Sequence, residues 1–251
     1  MLNNIMIGKY YPVRSKIHFM HPLSKIICTL LFISMIFICN SIELNLFMCA
    51  LVIIMMLMSH IPLKIYFKAV KTLRFLLIFI IIINYFSHAN LEITIIMMLR
   101  LILIVLYTTI LTLTTPPNEI TYGLELLLSP LKLIGVKVNR TALSISLALK
   151  FIPTVIDQGN KILKSQASRG IDYDNSNFAG KFMAIKAMLF PMFALTLKRA
   201  GQLADVMEVR LYNISEKRTN FRINKWRFFD TYLTLIHLAL MVAIIVKEVV
   251  V

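Results

Sequence analysis

Charge is scarce in this chain. Asp, Glu, Lys and Arg make up 16% of its 251 residues, against about a quarter in soluble domains, so there is too little polar side chain to cover a water-facing surface of that size. Glycine is also scarce, with 7 residues beside a hydrophobic share of 59%, which excludes the disordered and fibrous classes. There are three cysteines, Cys28, Cys39 and Cys49, all inside apolar runs and without CxxC spacing. That pattern gives no disulfide framework and no zinc site; they read as small buried hydrophobes. No phosphate-cradling loop is present. Gly180-Lys181 resembles the end of one, but Asn175 stands where the first Gly belongs, so the chain alone is not expected to hydrolyse ATP. A removable signal peptide is not expected either, because no A-x-A type site follows the apolar run after Lys9, Arg14, Lys16 and Lys25.

What is present is long uncharged stretches, with a mean hydropathy of +0.79 over the whole chain. Ile26 to Ile42, Leu44 to Leu63 and Phe75 to Leu91 carry no charge, and about 20 apolar residues cross the roughly 30 Å of hydrocarbon in a bilayer. A fourth stretch, Ile93 to Leu113, contains Arg100, and a fifth runs from Trp226 to Val246. The expected fold is therefore an all-α polytopic membrane protein with about five transmembrane helices.

The expected organisation is an N-terminal membrane region over residues 1–113, a helical non-spanning domain over 114–225, and a last transmembrane helix over 226–251. In the middle region charges recur every few residues and Pro116, Pro117, Pro130, Pro153 and Pro191 punctuate the chain.

The formal charge of +15 follows from the positive-inside rule without nucleic acid. With the N-terminus in the cytoplasm, the inner regions are 1–25, 59–74 and 114–227, and they hold 25 of the 27 Lys and Arg residues. Arg100 and Lys247 are the exceptions, while Glu43 and Glu92 fall in short outer turns. The C-terminus is then outside.

Pro116-Pro117-Asn118-Glu119 is a helix start, with the helix expected to run to Ile134 and stop at Gly135. Asn139 is placed to cap a long helix from Arg140 to Arg169, where Ile145, Leu149, Ile152, Ile156, Gly159 and Leu163 form one apolar stripe. Lys150, Asp157, Lys161 and Lys164 lie opposite, Asp157 and Lys161 at pairing distance. Gly170 is a C-terminal cap. After a loop over Ile171 to Asn177, a second long helix runs from Phe178 to Arg210, kinked near Pro191, with Ala194, Ala200, Gly201 and Ala204 small enough for close crossing. At about 1.5 Å per residue, each is some 45 to 50 Å long. Helices of that length with apolar stripes are best explained as a platform for other proteins.

Other readings carry less. His18 and His21 have i,i+3 spacing, but no Cys or carboxylate cluster accompanies them and they read as interfacial histidines. The glycan acceptor patterns Asn139-Arg140-Thr141 and Asn213-Ile214-Ser215 fall in the region expected to face the cytoplasm. Arg100 reads as a charge in an ion path or as one that packs against a neighbouring helix. Arg169 and Arg210 each end a long helix, where the simplest role is a cation on the helix dipole.

The sequence around these arginines resembles the transmembrane T component of energy-coupling factor transporters, the group that includes the membrane subunit of cobalt and nickel uptake systems. The likeness rests on His21-Pro22-Leu23-Ser24-Lys25, on Thr114-Thr115-Pro116 through Ser129-Pro130-Leu131-Lys132, and on Ala148-Leu149-Lys150-Phe151-Ile152-Pro153. Ser168-Arg169-Gly170 matches the family's first Arg signature, with Ser168 where Ala is usual. Val209-Arg210-Leu211 stands for the second, with Leu211 where a small residue or Gly is common.

The resemblance implies a subunit without catalysis or a cofactor of its own, in the cytoplasmic membrane of a bacterium or archaeon. Ser168, Arg169, Gly170, Val209, Arg210 and Leu211 would couple it to two ABC-type ATPase subunits, which bind ATP and Mg. A membrane-embedded substrate-binding S component would complete the assembly, for uptake of a vitamin or a transition-metal ion. The competing classes are a stand-alone secondary transporter and a membrane-embedded enzyme. The first would show inverted repeats, and the second a carboxylate, His or Cys cluster at the interface; no internal repeat is evident here and the acidic residues are scattered.

Overall fold

The computed structural model describes residues 10–87, 90–130, 135, 138–170, 177–212 and 225–250. Among them there is no strand, and the helices are α1 (Pro22–Ile38), α2 (Ile42–Ser59), α3 (Leu63–Thr72), α4 (Arg74–Phe86), α5 (Leu91–Thr114), α6 (Pro117–Leu127), α7 (Val138–Ala167), α8 (Phe178–Val209) and α9 (Phe228–Val250). The chain divides into two compact units, one holding α1 to α6 and α9, the other α7 and α8.

In the first unit α1 packs against α5, α6 and α9, while α5 packs against α2, α3 and α4. Phe32, Met35 and Ile36 of α1, Met48 and Val52 of α2, and Leu103 and Tyr107 of α5 are almost wholly buried there. The Phe32 and Tyr107 rings stack with centroids 4.1 Å apart. Many polar groups in this core are paired, as hydrocarbon surroundings demand, while Asn45 Oδ1 and Arg100 Nε are buried without a partner among the described residues. The Tyr107 hydroxyl meets His237 Nε2 at 2.8 Å, and His237 Nδ1 meets the Leu233 carbonyl at 2.9 Å. Both ring nitrogens of His237 are thereby given a partner.

Helix ends follow local chemistry. The His21 side chain accepts from the Leu23 N–H and Pro22 takes the first position of α1, where its missing N–H costs nothing. α2 stops at His60, a left-handed residue with φ 57°, and Pro62 precedes α3.

An all-α polytopic membrane protein is what results. By length and apolar composition α2, α5 and α9 can each cross a membrane, as can Gly180–Val209 within α8, and the α3–α4 pair passes the same criterion only when taken together, with a bend of 46° between its halves. Three details differ from the sequence expectation. The third apolar stretch is preceded by a helix from Leu63 and is separated from it by a break at Leu73, and both halves pack on α5. α1 has 17 residues, about 26 Å, and is short for a bilayer. α6 ends at Leu127, one turn before Pro130; Leu131 to Ile134 lie outside the described residues.

In the second unit α7 and α8 pack on each other, and both continue through an internal proline, Pro153 and Pro191. Gly159 and Ala184 are buried, while Lys150, Asp157, Lys161 and Lys164 are exposed on α7 as their spacing predicts. Asp157 and Lys161 do not close an ion pair among the described residues. Ala194, Ala200, Gly201 and Ala204 are exposed, and a Cβ on Gly201 would meet nothing within 4 Å. These small residues are not what brings α8 against α7. The side chain of Asn139, the loop residues Ile171 to Ser176, Asn175 among them, and the Asn213-Ile214-Ser215 pattern lie outside the described residues.

Candidate functional site

Ser168, Arg169 and Gly170 form the turn that ends α7. The Ser168 hydroxyl donates to the Lys164 carbonyl at 3.1 Å, which also accepts the Ser168 N–H at 3.2 Å. The Arg169 N–H reaches the Gln166 carbonyl and the Gly170 N–H the Ala167 carbonyl, both at 3.0 Å. Gly170 has φ +89°, the left-handed conformation that reverses the chain after a helix and that glycine adopts without a Cβ penalty. The Arg169 side chain is exposed.

α8 ends in the same way. The Leu211 N–H bonds the Glu208 carbonyl at 2.8 Å and the Tyr212 N–H bonds the Met207 carbonyl at 2.9 Å, which is the double closure of a Schellman motif. The left-handed residue is Leu211, with φ +55°, and a branched residue in that conformation costs about 1 to 2 kcal/mol. This position is where the resemblance puts a small residue or Gly, so the turn is kept and the residue that eases it is missing.

The two motifs are thus equivalent in place: each arginine is the last residue before the left-handed one. Among the described residues neither guanidinium closes an ion pair. Val209 and Leu211 are 83% and 90% exposed, so Arg210 emerges between two apolar side chains that nothing among the described residues covers. A planar fork of donors within an exposed apolar collar can enter an acidic or carbonyl-lined groove and bury the collar at its rim.

A second cluster gathers the residues on which the resemblance rests nearer the N-terminus. Lys25 Nζ donates to the His18 and Thr114 carbonyls at 3.2 and 3.1 Å and to Thr115 Oγ1 at 3.2 Å. Asp230, wholly buried at the start of α9, accepts the His21 N–H at 3.0 Å and the Arg227 N–H at 2.8 Å. The His-Pro-Leu-Ser-Lys segment is thereby tied to the Thr-Thr-Pro segment on one side and to α9 on the other. Sequence reasoning missed Asp230, whose only signal was an isolated carboxylate two residues inside an otherwise apolar helix.

The histidines serve this cluster. His18 Nδ1 lies 2.7 Å from Ser15 Oγ and Nε2 lies 3.0 Å from the Tyr11 carbonyl. Burial holds both His18 and His21 below the usual imidazole pKa, the hydrogen bond to Tyr11 opposing this at His18 and the Asp230 charge opposing it at His21. Arg100, for its part, donates to the Cys39 carbonyl at 2.8 Å. It holds the C-terminal end of α1, where carbonyls lack helical partners, a contact of the packing kind.

Compared with known proteins, residues 13–221 match the family described as cobalt transport protein, CbiQ. An energy-coupling factor transporter transmembrane protein EcfT from Listeria innocua is 35% identical over 96% of this chain and 97% of its own. The protein of the same name from Ruminiclostridium cellulolyticum is 34% identical over 99% and 98%. Its counterpart in Bacillus subtilis is 33% identical over 92% and 93%.

Proposed function

We propose, since the chain belongs to the family of energy-coupling factor transporter transmembrane proteins, that it is the coupling subunit linking two cytoplasmic ABC-type ATPases to a membrane-embedded substrate-binding subunit. That it is a multi-pass membrane component of a transporter follows from the family and the spans. The finer reading is carried by the equivalence of Arg169 and Arg210, two exposed guanidinium groups set by the same turn at the ends of two packed helices.

In this reading each arginine enters a groove of one ATPase. ATP and Mg are bound by those partners, and the chain itself holds no cofactor. Closure of the ATPases on ATP moves α7 and α8, and their exposed apolar side chains pass that motion to the substrate-binding subunit. Import of a vitamin or a transition-metal ion is the cargo class.

The orientation that serves this has the N-terminus inside, residues 114–225 cytoplasmic and the C-terminus outside, supported by the placement of 25 of 27 Lys and Arg. Although α8 passes as a span on length and composition, its longest uncharged run, Ala187 to Leu197, has 11 residues. That is about 16 Å, roughly half of a bilayer core. Co-purification of ATPase with the wild-type chain and with Arg169→Ala, Arg210→Ala variants tests the reading; ATPase recovery indifferent to both arginines refutes it.

A further inference from the structure

Beside the starts of α1 and α9 lies an open cavity of about 1070 Å³ whose lining, among the described residues, includes the basic Arg14, His18, Lys225 and Arg227 and one carboxylate, Glu119. The permanent cations are unmatched: among the described residues none of Arg14, Lys225 and Arg227 closes an ion pair. Arg227 is held in place by Phe19, with its guanidinium carbon 5.4 Å from the ring centroid, and Trp226 by a 2.7 Å hydrogen bond from its indole N–H to Thr231 and by ring contact with His21. Aromatic rings with one polar edge mark the level of the membrane–water boundary, and both helices enter their apolar stretches here.

One further feature fixes what fits. Phe228 lines the cavity and begins an exposed stripe down α9, through Tyr232, Leu235, Leu238, Val242 and Val246. Their spacings of three and four keep them on one helical face. Phe228 to Val246 covers about 27 Å, close to one hydrocarbon core. A cationic cup at the boundary continuous with an apolar track matches a molecule with an anionic head and long chains.

We propose that this cavity binds an anionic phospholipid, its phosphate held by Arg14, Lys225 and Arg227 and its chains laid along the exposed face of α9. The inference needs only that the chain is a membrane protein, and stands whether or not the arginines of α7 and α8 bind ATPases. It gives the chain a lipid anchor at the point where His21 and Asp230 join α1 to α9. Basic clusters of this kind attract anionic headgroups through each Lys or Arg near the surface.

Trp226 is the sole tryptophan and lines the cavity, so it reports occupancy directly. The full-length chain is placed in phosphatidylcholine nanodiscs containing a minor share of brominated phosphatidylglycerol, or the same share of brominated phosphatidylcholine, and Trp226 quenching is compared. Quenching should be stronger with the anionic lipid, and each cation removed should weaken that preference about fivefold. The Arg14→Gln, Lys225→Gln, Arg227→Gln variant should respond equally to both lipids, while Lys64→Gln, Lys68→Gln, Lys71→Gln, which removes as much charge from α3, should keep the preference. If the triple cavity variant does not fold, Arg14→Gln alone, on an exposed side chain, carries the comparison. Equal quenching in the wild type, a preference that survives loss of the cavity cations, or a preference that the α3 variant loses to the same extent overturns the proposal. So does inorganic phosphate that relieves the quenching, since the ligand would then be a free anion.

Discussion

Gly170 and Leu211 hold the same place at the ends of α7 and α8. Each follows an arginine, each has positive φ, +89° and +55°, and each donates its N–H to the carbonyl three residues back, at 3.0 and 2.8 Å. Glycine meets this geometry freely and leucine does not. The turn itself, more than the residue type, is what the two Arg motifs share.

Leu211→Gly should therefore be tolerated and stabilise the end of α8 by up to about 1 kcal/mol, while Gly170→Leu should destabilise the end of α7 by about 1 to 2 kcal/mol. Hydrogen exchange of the amides in the last turn of each helix checks this. Equal, unchanged protection in both variants would show that the left-handed turns impose no strain.

Asp230→Ala should lower the stability of the membrane unit by about 2 to 3 kcal/mol, because the buried His21 N–H and the part-buried Arg227 N–H lose a charged acceptor. Asp230→Asn, which keeps one oxygen, should cost about half of that. Thermal unfolding of the purified chain measures both; a wild-type melt for Asp230→Ala would remove the join between α1 and α9 from the account.

Gly123 sits where α6 presses on α1. A Cβ there would lie 2.7 Å from Ile26 Cδ1 and 3.1 Å from the Pro22 carbonyl carbon. The Ile26 end can rotate away but the Pro22 backbone cannot, so Gly123→Ala should cost about 1 kcal/mol and Gly123→Leu about 3 kcal/mol. The same melts check the order, and a Leu variant as stable as the Ala variant would contradict it.

Burial lowers the folded pKa of His18 and His21 below the unfolded value, so both favour the neutral ring in the fold. Their contribution is fully present above about pH 6.5 and is lost as pH falls from there through the folded values. Melting temperature should accordingly drop between about pH 7.5 and 5.5, and the His18→Gln, His21→Asn variant should flatten that drop. A wild-type profile that is flat across this range would contradict the assignment.

How much of this was legible in the sequence depends on how local its cause is. Uncharged runs and their flanking charges located the spans, and the apolar spacing between Ile145 and Leu163 located α7, because hydrocarbon and helix periodicity act on neighbours in the chain. Gly170 as a cap was legible for the same reason. The break at Leu73 was not, since no glycine or proline marks it in the sequence, although both halves pack on α5. Asp230 was not either: its partners, the His21 and Arg227 N–H groups, are brought to it by the packing of α1 on α9. The left-handed Leu211 contradicts its own propensity, and only the hydrogen bonds of the Schellman turn reveal it. The arginines became candidates through resemblance to a family; in the structure they occupy one and the same position, the residue before a left-handed one, at two helix ends.

The most direct test of the coupling role is the amount of ATPase recovered per membrane subunit when the chain is purified from membranes holding all its partners. An arginine that only caps a helix is worth about 0.3 to 1 kcal/mol, and one buried at an interface about 2 kcal/mol or more. Arg169→Ala and Arg210→Ala should each reduce recovery, with the smaller loss at Arg210, and the double variant should abolish it while the chain still inserts and melts as the wild type does. Recovery at the wild-type level in both single variants and in the double would contradict the account and leave the two arginines as helix caps.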